Sequence, residues 1–171
     1  MKTVRIISNV LHACSLFLAV GYCATALYAM IVLMLKTPQF QLLNEGRRYA
    51  ILYPFSTKNF LLGENIGAQM VSMVSLIGLY GLFFYMVSTV VAIFREQKWF
   101  TKQGMMRLRY FTYANLTIPA IVYAAHRIFW EVESPAEILV ALHALLGVFA
   151  FFIAAIFEQG LHLQNEQDLI I

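Results

Sequence analysis

Four long apolar stretches alternate with shorter, more polar connections along this chain of 171 residues. They run over 10–35, 70–94, 111–130 and 136–157. Each is near or above the ~20 residues that a helix needs to cross the hydrocarbon of a bilayer. The pattern predicts a single all-α domain over 1–171, a polytopic membrane protein built as a bundle of four transmembrane helices. Between them lie a connection at 36–69, a short turn at 95–110, the brief "EVESPAE" link and a tail at 158–171. The chain shows no internal repeat, low-complexity run or Gly/Ser linker. Lys2 and Arg5 ahead of the first apolar run resemble the start of a secretory signal. That run is too long for such a signal and no cleavable small-residue context follows it before Lys36, so a retained helix is expected.

Composition agrees with the pattern. At 61% hydrophobic and 12% charged residues, the chain carries more apolar surface than a core of this size can hide from water. The bilayer is therefore its first expected partner. A net charge of +3 is too small to argue for direct nucleic-acid binding. The positions of the charges speak to topology instead. Arg95, Lys98, Lys102, Arg107 and Arg109 crowd the second connection, whereas "EVESPAE" has no basic residue. Basic residues in short loops favour the cytoplasmic side, which predicts an N-in, C-in arrangement. Lys36, Arg47, Arg48 and Lys58 lie in the first connection, which is long enough to translocate despite them. Within it Asn44 to Gly46 and Pro54 to Ser56 are turn-like. A short amphipathic element on the outer membrane surface is one reading of this segment, and a ligand-sensing lid is another.

Candidate chemistry is sparse. Small residues recur every fourth position at Gly21, Thr25 and Ala29, and at three- or four-residue spacing at Ala68, Ser72, Ser75, Gly78 and Gly81, which allows close helix approach within the chain or between copies. A homo-oligomer is therefore possible on sequence grounds. Pro119 cannot donate to the carbonyl of Asn115, so a kink is expected there, with Asn115 and Thr117 as candidates to compensate. His126 and His143, near the outer ends of the third and fourth stretches, could lie at comparable depth, and two facing histidines are how a membrane cytochrome holds haem. Hydrogen-bonded polar packing is the plainer account of them. Cys14 and Cys23 fall on opposite sides of one helix and cannot bridge each other. Motifs for metalloprotease, nucleotide-binding, serine-hydrolase or dithiol chemistry are absent. The expectation is no enzyme, no metal and no resident cofactor.

The cytoplasmic strings "IFREQKWFTKQGMMRLRYF" and "IFEQGLHLQNEQDLII" resemble the bacterial four-helix membrane family known as domain of unknown function 2975. The residues that carry the resemblance are Phe94, Phe100, Thr101, Arg107 and Arg109, then Gly160, Leu161, Gln164, Glu166, Asp168, Leu169 and Ile171. Trp99, Gly104 and Ile170 depart from the family pattern. The resemblance implies a multi-pass protein of the bacterial cytoplasmic (inner) membrane. It also implies a regulator encoded beside a small helix-turn-helix DNA-binding protein, with no catalytic residues. Thr101 suits the N-cap of the helix that follows it, and Arg107 and Arg109 then fall in that helix's first turns.

These readings together predict a non-enzymatic membrane regulator that docks a small helix-turn-helix partner. The expected docking or tail-clasp residues are Phe100, Thr101, Arg107, Arg109, Gln164, Glu166 and Asp168. Glu166 or Asp168 is expected to fold back onto the basic turn, where opposite charges near a low-dielectric surface attract more strongly than in water. Leu169 to Ile171 would then cover apolar surface. The alternative is a small haem- or quinone-associated membrane subunit using His126 and His143.

Overall fold

The computed structural model describes the backbone of residues 2–129 and 136–168. Within these it describes every side chain except those of Ala68, His126, Phe129, Ala136, Gln167 and Asp168. In chain order the elements are α1 (Lys2–Leu35), β1 (Phe40–Leu43), β2 (Arg48–Leu52), β3 (Asn59–Glu64), α2 (Gly67–Ala92), a single 3₁₀ turn (Ile93–Arg95), α3 (Lys102–Phe129) and α4 (Ala136–Asp168). The chain is mostly helical, and α1, α2 and α4 are long and apolar enough to cross a membrane. α3 is less apolar, because Lys102, Arg107, Arg109, Asn115, Arg127 and its tyrosines interrupt it.

The helices outrun the apolar stretches that announced them. α1 begins at Lys2 and α4 continues to Asp168, because backbone i→i−4 bonds propagate through polar residues as readily as through apolar ones. At 33 residues and 1.5 Å per residue, α4 is ~50 Å long, well beyond the ~30 Å of a bilayer's hydrocarbon.

Burial in the helices differs from that of a water-soluble protein. Beside Val32, Leu108, Phe111 and Phe157, the hidden side chains include Ser8, Ser15, Ala19, Ser88, Thr112, Asn115, Ala150 and Ala154, while Phe17, Leu145, Phe149, Phe152 and Ile156 face outward. Soluble proteins seldom expose so many large apolar side chains together. Small and polar residues at helix contacts with bulky apolar residues outside are what lipid as the solvent demands.

Two compact units divide the chain: Ala13–Tyr85, and Met1–His12 together with Met86–Ile171. In the first, the connection at 36–69 is a three-stranded antiparallel meander in the order β1-β2-β3 rather than the short amphipathic element expected. The turn-like residues were the clue. Asn44 and Glu45 both take positive φ, 52° and 55°, which is the type I′ geometry that matches strand twist in a hairpin. The second turn-like site, Pro54 to Ser56, joins β2 to β3. Tyr49 and Ile51 of β2 pack with Ala29 and Val32 of α1, and Met70, Met73 and Val74 of α2 close the cluster. Gly63 is the cross-strand partner of Tyr49, and a Cβ there would sit 2.7 Å from the tyrosine ring. The ring thus lies flat on the glycine backbone. Its hydroxyl donates to Met73 Sδ at 3.5 Å, and burial pushes the phenol above its ordinary pKa.

In the second unit, α3 and α4 pack as an antiparallel hairpin. The inward positions are Gly104, Leu108, Phe111, Asn115, Ile118, Val122 and Ala125 on α3, and His143, Gly147, Ala150, Ala154, Phe157, Leu161 and Gln164 on α4. Both series step alternately by four and three, the heptad spacing of supercoiled helices. Gly147 permits the closest approach, since a Cβ there would meet Leu116 at 2.8 Å and the Thr112 carbonyl at 3.3 Å.

Candidate functional site

Of the residues singled out for docking, Phe100 and Thr101 fall in an aromatic knot where α2 gives way to α3. After the 3₁₀ turn the chain is irregular until Thr101. Its hydroxyl accepts from the Gly104 N–H at 3.0 Å while its carbonyl accepts from Met105 N–H, also at 3.0 Å. Thr101 is thus the N-cap of α3, with side chain and backbone each satisfying a free donor of the first turn.

The cap aims Phe100 at α4. Its ring centroid lies 5.2 Å from that of Phe157, which in turn lies 6.0 Å from Phe94, and Trp99 meets Phe94 at 5.8 Å. All three contacts are edge-to-face, the arrangement that aromatic quadrupoles favour. Ile93, Leu108, Ala154 and Phe157 form the buried centre. Gly160 completes the knot, because a Cβ there would meet Phe100 at 2.5 Å. Any side chain at 160 would expel the ring.

Charge rings the knot. Arg109 grips Glu158 through one guanidinium nitrogen at 2.9 and 2.8 Å, and Arg107 approaches Glu96 at 4.0 Å. The carboxylate that meets Arg109 is therefore the first in the tail. Glu166 lies instead 3.4 Å from His162, one turn behind it on the same helix. The fold-back expected of Glu166 is not found, because α4 stays helical through Asp168 and carries these residues onward rather than back. Gln164 continues the inward stripe. The side chain of Asp168 and residues 169–171 lie outside the described residues, so the expected cover by Leu169 to Ile171 does too.

Two contacts tie the start of α1 to the same end of this unit. Arg95 Nε donates to Asn9 Oδ1 at 2.7 Å. His12 Nδ1 lies 3.0 Å from the Ser88 carbonyl, which can only accept, so this nitrogen carries the proton. Nothing in the apolar pattern pointed to Asn9 or His12, since one sits beside and the other inside a run read only for its hydrophobicity.

Compared with protein-family models, with curated proteins and with solved structures, the chain finds no match. The resemblance drawn from the two sequence strings therefore rests on those strings alone.

Of the remaining candidates, Asn115 and His143 meet where α3 packs on α4. Asn115 is only 4% exposed. Its amide donates to the Phe111 carbonyl at 2.8 Å and its Oδ1 meets His143 Nδ1 at 2.8 Å. The amide's own donation fixes its oxygen as acceptor, so His143 carries its proton on Nδ1. Thr117 donates to the Tyr113 carbonyl at 2.8 Å. Both side chains thus bond one turn back, and neither reaches the Asn115 carbonyl that Pro119 leaves without its helical donor. α3 nevertheless runs unbroken through Pro119.

The two histidines do not share a depth. Asn115 marks the level of His143, and Tyr123 donates to Glu137 at 2.7 Å further along. His126 lies eleven residues past Asn115, so its backbone is displaced by ~16 Å along the helix. A single haem iron does not bridge that offset. The cause is the register of the hairpin, which sets His143, seven residues into α4, beside Asn115, fourteen residues before the end of α3. Counting each histidine from its own helix end missed it. Among the described residues no group of three or more His, Cys, Asp or Glu could hold a metal ion.

Proposed function

We propose that this protein is a non-enzymatic integral membrane protein of the bacterial cytoplasmic membrane, four-spanning with both termini inside. On this reading α3 is the fourth span. The aromatic knot and the helical overhang of α4 then form a cytoplasmic dock for a small helix-turn-helix DNA-binding protein. The kind of partner is what the resemblance implies. The observation that carries the docking site is the overhang itself: past Phe157, α4 continues for eleven residues as helix, ~16 Å. It is locked at its base by Gly160 on Phe100 and by Glu158 on Arg109, and it presents His162, Leu163 and Glu166 to solvent. A rigid, exposed, mixed-polarity helix suits recognition. Release of the partner would require a ligand or lipid that favours one state of the knot over the other.

Affinity purification of the detergent-solubilised protein, with and without its last ten residues, tests the proposal. A small DNA-binding protein recovered with the intact chain and lost with the truncated one supports it. Recovery of no such protein with either form sinks it. An absorption spectrum of the same sample checks the haem alternative, for which the register above predicts a colourless protein.

A further inference from the structure

The loop joining β2 to β3 presents an aromatic tip that the fold leaves uncovered. Phe55 is 103% exposed and holds φ at 60°. Bulky L-residues rarely adopt this left-handed conformation, and no contact among the described residues offsets it. The loop is nonetheless well fixed. Tyr53 N–H donates to the Lys58 carbonyl at 3.0 Å and Ser56 N–H to the Tyr53 carbonyl at 3.2 Å. The Ser56 hydroxyl accepts from Lys58 N–H at 3.2 Å. Behind the tip, the Tyr53 and Phe60 rings lie 4.6 Å apart.

Its depth is fixed as well. Tyr28 of α1 donates its hydroxyl to the Leu52 carbonyl at 2.7 Å and sets its ring 6.0 Å from Phe60. Tyr28 lies seven residues before the end of α1, ~10 Å along the axis. Beyond it the helix exterior is still apolar, with Met34 77% and Leu35 71% exposed. The base of the loop is thus bonded to the side of a helix whose outward apolar surface extends past it on the way out of the membrane. A surface that lipid covers at Met34 and Leu35 places lipid beside the loop too.

We propose that Tyr53, Pro54 and Phe55 form a wedge that inserts into the leaflet facing the α1–α2 connection, with the exposed Lys58 ammonium beside the headgroup phosphates. Aromatic rings and lysines are the residues that settle at this boundary. Transfer of the Phe55 ring from water to lipid offsets the strained backbone, and the small sheet is held against the membrane at one end. Its opposite end, the Asn44–Glu45 turn, carries no exposed aromatic and stays in water. The inference rests on the reading of α1 as a membrane span.

The test uses full-length protein in lipid nanodiscs, with Cys14→Ala and Cys23→Ala removing the two free thiols. A single cysteine is placed by Phe55→Cys, Glu45→Cys or Phe17→Cys and labelled with an environment-sensitive fluorophore. Quenching by nitroxide-bearing lipids is then read for each. Phe17, 79% exposed on α1, reports whether the helix itself meets lipid. The wedge requires strong quenching at 17 and 55, several-fold above that at 45. Quenching at 17 with position 55 no different from 45 overturns the wedge and leaves the span intact. No quenching at 17 overturns both. Phe55 is fully exposed and touches none of the described residues, so the substitution itself does not threaten folding.

Discussion

Each unit of the chain seats an aromatic ring on a glycine, over very different sequence distances. Tyr49 and Gly63 are fourteen residues apart and meet across neighbouring strands. Phe100 and Gly160 are sixty apart and meet only after α3 and α4 have paired. The cost of closing a loop grows slowly with its length, yet contacts of long sequence separation form late. The sheet can therefore assemble from its own hairpins, whereas the knot exists only once the helical hairpin has closed. The two slots are alike in geometry and differ in what they report: the first a local fold, the second the docking of one helix on another.

Removal of a ring from the centre of the knot is the harshest way to probe that difference. Phe157→Ala should destabilise the second unit by ~3–5 kcal/mol, as large-to-small changes of buried phenylalanine do, read by thermal unfolding in detergent. Filling the glycines is milder and compares the slots directly. Gly63→Val and Gly160→Val each force a ring aside, at ~1–3 kcal/mol. Only the second should also lose partner retention, since Gly160 fixes the base of the overhang. Equal effects of both on retention would break the distinction.

The α3–α4 hairpin holds a further probe in Asn115 and His143. Asn115→Leu or His143→Leu alone strands a buried polar partner and should cost ~1–2 kcal/mol, while the double variant should fall well short of the sum. A double-mutant cycle in detergent measures the coupling. Additive losses would mean that the two side chains do not depend on each other. Loss of the cap by Thr101→Ala, ~1 kcal/mol, should follow, and fraying confined to the start of α3 by amide exchange would separate it from the interface variants.

The helices, the cap at Thr101 and both hairpin turns were legible because each is written in neighbouring residues. A run of apolar side chains, a threonine before a helix and an Asn-Glu-Gly tripeptide carry their meaning locally. The strands were not, since "FQLL" and "RYAIL" are too short for periodicity to separate strand from helix, and their burial is supplied by α1 and α2. Nor were the partners of Arg109 and His143. Which carboxylate meets Arg109, and which residue lies level with His143, follows from the register of α3 against α4. That register is set by Gly147 and Gly160 admitting close neighbours. A heptad count along "LHALLGVFAFFIAAIFEQGL" carries the inward stripe, but it acquires meaning only beside the matching stripe of α3.

The smallest expected effect tells most about function. Arg109 and Glu158 are both about half exposed, and such surface pairs contribute only ~0.2–1 kcal/mol, less at high salt. Arg109→Gln and Glu158→Gln should therefore leave unfolding nearly unchanged. The sheet should be indifferent to both. Yet this pair sits where the overhang leaves the knot, so its loss frees the helix end to swing about Gly160 without unfolding anything. If partner retention falls in these variants while stability holds, the knot acts by aiming the overhang. If retention survives Arg109→Gln and Glu158→Gln but not Gly160→Val, the aromatic slot alone sets the direction, and the charges around it serve the headgroups rather than the partner.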